Sequence, residues 1–303
     1  MYYSFKKDEG LYSEVYEILS NVVLKYHSWE LWLCIGLMPI NWALEAYKWQ
    51  FLASKVEKIS FVDAFKGTLA GLGLGFITPQ AVGDFAARIY FLKMKNKMEA
   101  LGAILLARVS MFFVAVFYGI IGFYILNNFE VLKASSFVEE KMIWLVALLA
   151  FVTLTMIIHF NIYDHIPYKH YRKRWLMWFW NSFKVLTQYS YNDFSICFLL
   201  SVARYLVFTV QYLLLLHFFG VDIYNILIVS AVWMIYFVKS IFPTFNFLND
   251  LGVREVSAVY FLSQLGVSNS DAVLSSLCLW LINILIPTLA GTAILLSAKY
   301  RKV

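Results

Sequence analysis

Six stretches of this sequence stay predominantly apolar for about twenty residues or more: 29–54, 98–126, 142–160, 194–219, 223–242 and 271–298. A helix rises about 1.5 Å per residue, so roughly 20 such residues cross a hydrocarbon core about 30 Å thick. The pattern therefore predicts an all-α, polytopic membrane protein. Composition removes the competing classes. Hydrophobic residues are 61% of the 303 and charged residues only 15%, against about 25% charged in a soluble domain. A soluble globule of this length cannot hide that much apolar surface, and a disordered chain does not carry it. With 14 Gly, 5 Pro and 3 Cys, collagen-like and disulfide-scaffold folds drop out as well.

The net charge of +6 comes from 25 Lys and Arg against 19 Asp and Glu. The positive residues sit in short loops between apolar spans, which fits a cytoplasmic lipid surface rather than nucleic acid. Lys48, Lys55 and Lys58 follow the first span, and Lys93, Lys95 and Lys97 follow the stretch 61–92. Both clusters on one side make 61–92 a re-entrant element. The net-acidic loop with Glu130, Glu139 and Glu140 belongs outside. Lys169, Arg172, Lys173, Arg174 and Lys184 vote inside, as do Lys299, Arg301 and Lys302 in the tail. The stretch 243–266 either crosses or re-enters. Counting spans, a re-entrant 243–266 puts the basic tail outside, so the tail's charge favours a crossing.

These readings divide the chain into an amphipathic segment 1–28, a first membrane half 29–160, a basic aromatic linker 161–192 and a second membrane half 193–303. In all, six to eight membrane segments are expected in a multi-pass protein of a cytoplasmic membrane. Residues 11–24 and 175–186 read as interfacial helices. In the latter, Trp175, Phe179, Phe183 and Leu186 share a face opposite Arg174, Asn181, Lys184 and Gln188; an ordinary connector is the alternative. The polar start MYYSFKKDEGLYSEVYE does not resemble a cleavable signal peptide. Cys34, Cys197 and Cys278 each stand alone in apolar sequence and read as small core residues.

Chemistry concentrates in two interrupted stretches. In 61–92, Gly67, Gly71 and Gly75 recur every four residues, a spacing that lets a neighbouring helix approach closely. Pro79 then breaks the helix, and Gly83, Asp84 and Arg88 follow in one further helical run, with the acid and the Arg at i,i+4. In 243–266 the order repeats: Lys239 before the break, Pro243 at it, Asn249 and Asp250 as N-cap candidates, Gly252 at the turn, then Arg254 and Glu255. A broken segment with an acid and an Arg in each half is the pattern of a pseudo-symmetric transporter whose substrate site lies near the midplane. Ionisable groups at that depth cost about 3 kcal/mol each. The structural reading is that the pairs Asp84–Arg88 and Arg254–Glu255 only fix helix packing. Arg108, inside the span 98–126, needs a partner or a route to water. Lys48, near the inner end of the first span, is expected to snorkel while Glu45 lies one turn before it. His159, His165, His170 and His217 match no metal template, and no nucleophile elbow, phosphate loop or dinucleotide fingerprint is present. No cofactor and no catalytic role are therefore assigned.

Together these residues resemble the lysylphosphatidylglycerol synthase transmembrane-region family of flippase-like proteins, from about Trp29 to Ser297. The first span ends in Tyr47-Lys48-Trp49 followed by Phe51-Leu52, where the family has Arg-Trp. Pro79, Gly83, Asp84 and Arg88 are similar to the family's Pro-x3-Gly-Glu-x3-Arg, with Asp for Glu. Arg108 stands where a helix-embedded Arg is usual, and Gly252-Val253-Arg254-Glu255 resembles the Gly-x-Arg-Glu signature. The resemblance implies a helical membrane domain with two re-entrant elements that works on lipids. In the best-understood members the cargo is an aminoacylated phospholipid; relatives accompany glycolipid or polyprenyl-linked pathways. The family's usual first helix has no counterpart in the polar residues 1–10, and the soluble aminoacyl-transferase module of two-domain members does not follow, so transport without synthesis is the expectation.

Three functions follow. The first is translocation of a lipid or lipid-linked saccharide, with Arg88 and Arg254 facing an anionic headgroup, Asp84 and Glu255 holding them, and both broken elements converging on one polar vestibule. The second is a non-transporting membrane partner of a lipid-modifying enzyme or glycosyltransferase, docked through 169–186. The third, an intramembrane enzyme using Asp84 or Glu255 as acid or base, lacks an accompanying nucleophile or metal set.

Overall fold

The computed structural model describes residues 29–78, 82–92, 100–132, 184–242 and 252–300. Among these residues all regular structure is helical: α1 Trp29–Ala53, α2 Phe61–Ile77, α3 Val82–Tyr90, α4 Ala100–Asn128, a 3-10 turn Lys184–Gln188, α5 Tyr191–Phe218, α6 Ile226–Ile241, α7 Val253–Ser263, α8 Asn269–Trp280, a π-helical turn Leu281–Leu285 and α9 Ile286–Tyr300. Three helical runs are long and apolar enough to cross a membrane: Ala100–Asn128, Tyr191–Phe218 and the continuous Asn269–Ser297. Pro79, Pro243, Asn249 and Asp250, the span 142–160 and the segment 11–24 lie outside the described residues.

Serine caps punctuate the chain. Ser60, Ser190 and Ser268 each accept a backbone N–H from an Asp three residues on, at 3.1, 3.3 and 3.1 Å. At Ser190 the box is reciprocal, because Asp193 accepts the Ser190 N–H at 2.8 Å. Lys55 reaches the same Asp193 at 2.9 Å, and the Tyr189 hydroxyl donates to the Leu52 carbonyl at 2.6 Å. Burial raises the Tyr189 hydroxyl above its ordinary range, with Cys197 and Asp193 adding to the effect, so the donor stays protonated. These contacts tie the start of α5 to the end of α1. The last residues of the 175–186 segment, expected as an amphipathic helix, form the 3-10 turn instead, with Val185 and Leu186 packed into the apolar cluster around Trp49 and Leu52.

From that shared end the helices run alternately. α5 is antiparallel to α1, since Lys48 meets Ser201 while Glu30 meets His217. α6 is antiparallel to α4, with Gly119 against Phe237 and Gly122 against Ser230. α2 and α3 form a hairpin: Gly67 lies against Arg88, Gly71 against Asp84 and Gly83 against Leu74. The Thr78 hydroxyl donates to the Leu74 carbonyl at 2.9 Å and accepts the Gly83 N–H at 2.8 Å, joining the two arms across the break. Both arms therefore start and finish at the Ala53 end of the bundle. α9 is antiparallel to α2, because the Trp280 ring lies 6.2 Å from that of Phe76 while Gly291 abuts Leu69, so the end of α9 also reaches that end.

The second interrupted stretch folds back within the bundle. α7 has 11 residues, about 16 Å, and α6 has 16, about 24 Å, each short of a 30 Å core. Arg254 at the start of α7 meets Ser276 well inside α8, and α7 closes near the start of α8. α6 and α7 thus make a second hairpin, based at the opposite end from α2–α3. α6, expected as a full span, is the first arm of this hairpin, and the end of α9 still lies at the Ala53 end of the bundle. The N-cap of α7 is Gly252, at φ +106°, where a glycine is favoured. Glu255 accepts its N–H at 2.6 Å, so that carboxylate caps the helix start.

Candidate functional site

Four helices direct charged side chains at one point inside the bundle. α1 supplies Glu45 and Lys48, α3 Asp84 and Arg88, α4 Arg108 and α5 Arg204. Glu45 accepts from Arg88 at 3.1 Å through Oε1, and from Lys48 at 3.0 Å and Arg204 at 2.9 Å through Oε2. Asp84 accepts from Arg88 Nε at 2.7 Å through Oδ1 and from Arg108 at 2.8 Å through Oδ2. All four carboxylate oxygens are thereby engaged by cations. Removing one partner from so buried a set costs about 3–5 kcal/mol, because the remaining charge is left uncompensated.

Local sequence explains the arrangement. The i,i+3 spacing sets Glu45 and Lys48 on one face of α1, and i,i+4 does the same for Asp84 and Arg88 on α3. Gly71 makes room for the Asp84 carboxylate, which occupies the space a side chain there would fill. Aromatic faces cover the guanidinium groups: Arg108 lies over Phe85 at 4.3 Å, and Arg204 over Trp42 at 4.9 Å. Behind Arg204 a neutral chain continues. Its Nε donates to Asn41 at 2.9 Å, Asn41 donates to Asn283 at 3.0 Å, and the Trp42 indole donates to the Asn283 carbonyl at 3.1 Å. Asn283 sits in the π-helical turn, where the regular backbone ladder is displaced.

The cluster opens on a cavity of about 440 Å³, whose lining also includes Gly75 and Lys239. Its described walls carry Lys48, Arg88, Arg108, Arg204 and Lys239 against Glu45 and Asp84. Arg88 is 6% exposed, and its Nη1 has no hydrogen-bond partner among the described residues. Other atoms of the same side chain line the cavity. Among the described residues no group of His, Cys, Asp and Glu could hold a metal ion.

Of the residues singled out in the sequence, Asp84, Arg88, Arg108, Lys239, Gly71 and Gly75 meet at this cavity, and Gly83 packs the hairpin beside it. Arg254 and Glu255 do not join them. Arg254, 3% exposed, donates to Ser276 at 2.9 Å and to Glu255 at 3.1 Å, forming a second cluster with Gly252 near Tyr212. Arg204 and Tyr212 stand eight residues apart on α5, about 12 Å. The expected single vestibule is thus two polar clusters, because the hairpins enter from opposite ends. Lys48 does not snorkel: at 1% exposure it lies inside, held by Glu45 and by Ser201 at 3.3 Å. Arg204, Asn41 and Asn283 escaped sequence reasoning. The one available signal was Arg204 itself, an ionisable residue well inside an apolar span.

The family model described as the lysylphosphatidylglycerol synthase TM region matches residues 12–291. No curated protein and no solved structure matches the chain.

Proposed function

The chain belongs to the lysylphosphatidylglycerol synthase transmembrane-region family, and from that premise we propose that it carries a lipid headgroup between leaflets through the cavity between α1, the α2–α3 hairpin, α4, α5 and α6. The supporting observation is the buried ionic cluster facing that cavity. Glu45 lies eight residues from the end of α1, about 12 Å along the axis, at a depth where charge is costly without a polar path. The donors line a space large enough for a headgroup, while exposed apolar side chains such as Ile77 and Val82 at the hairpin tip suit acyl chains. The glycine-packed hairpin brings its acid and Arg to the site without a crossing helix of its own.

The test is leaflet exchange of a fluorescent phospholipid in proteoliposomes, read by quencher accessibility. Asp84→Asn and Arg88→Gln are each expected to slow exchange about tenfold or more, the worth of a charge-assisted hydrogen bond. Wild-type exchange rates in both variants would falsify the assignment.

A further inference from the structure

We propose that the π-helical turn Leu281–Leu285 is a hinge about which α9 and the α2–α3 hairpin swing as one body, latched to the ionic cluster through Asn283. The hinge stands on the fold alone; its use in leaflet exchange rests on the reading of the cavity as a lipid path.

The helical run Asn269–Ser297 is continuous, yet it is fastened to different partners on either side of the turn. Before the turn, Ser276 of α8 accepts from Arg254 at 2.9 Å and donates to Glu255 at 3.0 Å, which ties α8 to α7. After it, a Cβ at Gly291 would fall on the Leu69 carbonyl, and one at Gly73 would lie 3.0 Å from the Thr292 nitrogen. The backbones of α9 and α2 are therefore in direct contact. The arms of the α2–α3 hairpin meet in the same way where Gly83 lies against Leu74. Three helices joined backbone to backbone move together. The turn is the weak point of the run for a covalent reason. In a regular helix the Asn283 carbonyl accepts from the N–H of residue 287, but that residue is Pro287, which has none. The Trp42 indole donates to this carbonyl at 3.1 Å, and the Asn41 amide donates to the Asn283 side chain at 3.0 Å, both from α1. Asn41 in turn accepts from Arg204, whose Nη1 donates to Glu45 at 2.9 Å. A chain of hydrogen bonds thus connects the hinge to the cluster that Asp84 and Arg88 enter from the swinging body. α9 has 15 residues, about 22 Å, so a kink of about 20° moves its far end by about 8 Å. That end of the bundle is closed by the apolar cluster around Trp49 and Leu52, in which Phe85 and Ile89 of α3 pack. Parting such faces toward lipid carries no hydrophobic penalty, because acyl chains are as apolar as the side chains they replace.

Spin labels on cysteines placed at Ser195 of α5 and Ser297 of α9, both exposed, read the swing as a distance. The parent is the full chain with Cys34, Cys197 and Cys278 replaced by alanine, reconstituted in phosphatidylglycerol vesicles. It is expected to show two populations about 8 Å apart. Pro287→Ala supplies the missing N–H and is expected to abolish both the longer distance and leaflet exchange, with a melting temperature at or above that of the parent. Asn283→Leu breaks the bond from Asn41 and is expected to enrich the longer distance. Pro39→Ala is the control, because α1 runs unbroken through that proline; neither distances nor exchange are expected to change. A single distance in the parent overturns the hinge, as does persistence of both distances in Pro287→Ala. If that variant does not fold, Asn283→Leu decides, and an unchanged distribution overturns the latch. Two distances that respond as stated, without leaflet exchange in the parent, overturn translocation and keep the hinge. Exchange with one fixed distance does the reverse.

Discussion

At the scale of single residues, Glu45 organises more of the site than any position the motifs mark. Three cations from three helices converge on its two oxygens. Glu45→Gln keeps the shape and removes the charge that holds Lys48, Arg88 and Arg204 together. Its expected cost is about 3 kcal/mol or more, read as a fall in detergent melting temperature. Pairing it with Lys48→Met removes an uncompensated cation and is expected to recover part of that loss; a double variant less stable than Glu45→Gln alone would refute the account. Asp84 and Arg88 were legible because a Pro, a Gly and an i,i+4 charge pair mark a break in apolar sequence, and Arg108 because it stands inside an apolar span. Lys48 was misread because its stem is long enough to snorkel from where it stands, and only tertiary structure reveals that Glu45 and Ser201 hold it inside. Asn283 gave no signal, as one amide in an apolar helix has no spacing to interpret.

Among the elements, the α2–α3 hairpin depends on close backbone approach at one place. A Cβ at Gly83 would come within 2.5 Å of the Leu74 carbonyl oxygen, a backbone atom that cannot move aside alone. Gly83→Ala is therefore expected to spread the arms, cost about 1–3 kcal/mol and slow leaflet exchange by shifting the adjacent Asp84. Gly36→Ala on α1 is the control, because nothing lies within 4 Å of that position. Replacing a helical glycine there is expected to leave exchange unchanged and to stabilise by up to about 1 kcal/mol. Equal melting temperatures for the two variants would contradict this packing. The breaks in both hairpins were readable from Pro and Gly. Their lengths were not, since α6 has the composition of a span and only its 16 residues and its return through α7 show it to be an arm.

For the whole molecule, the two hairpins impose a sidedness that labelling can read. Ser54, after α1, and Ser297, near the end of α9, belong to one end of the bundle; Tyr224 and Ser268 belong to the other. In a background with Cys34, Cys197 and Cys278 replaced by alanine, single cysteines at Ser54 and Ser297 are expected to react with an impermeant maleimide from the same face. Cysteines at Tyr224 and Ser268 are expected to react from the opposite face. Labelling of Ser54 and Ser297 from different faces would contradict the inverted hairpins.

The pairing of Gly71 with Asp84 has a consequence for any attempt to redesign this domain. The carboxylate lies in the seam where the two arms touch, so it acts both as a charge and as a spacer. Enlarging residue 71 evicts the anion, and shrinking residue 84 opens a hole in the joint. Mechanical fit and ionic character therefore cannot be tuned separately at that seam, and a variant that alters one must be tested for the other.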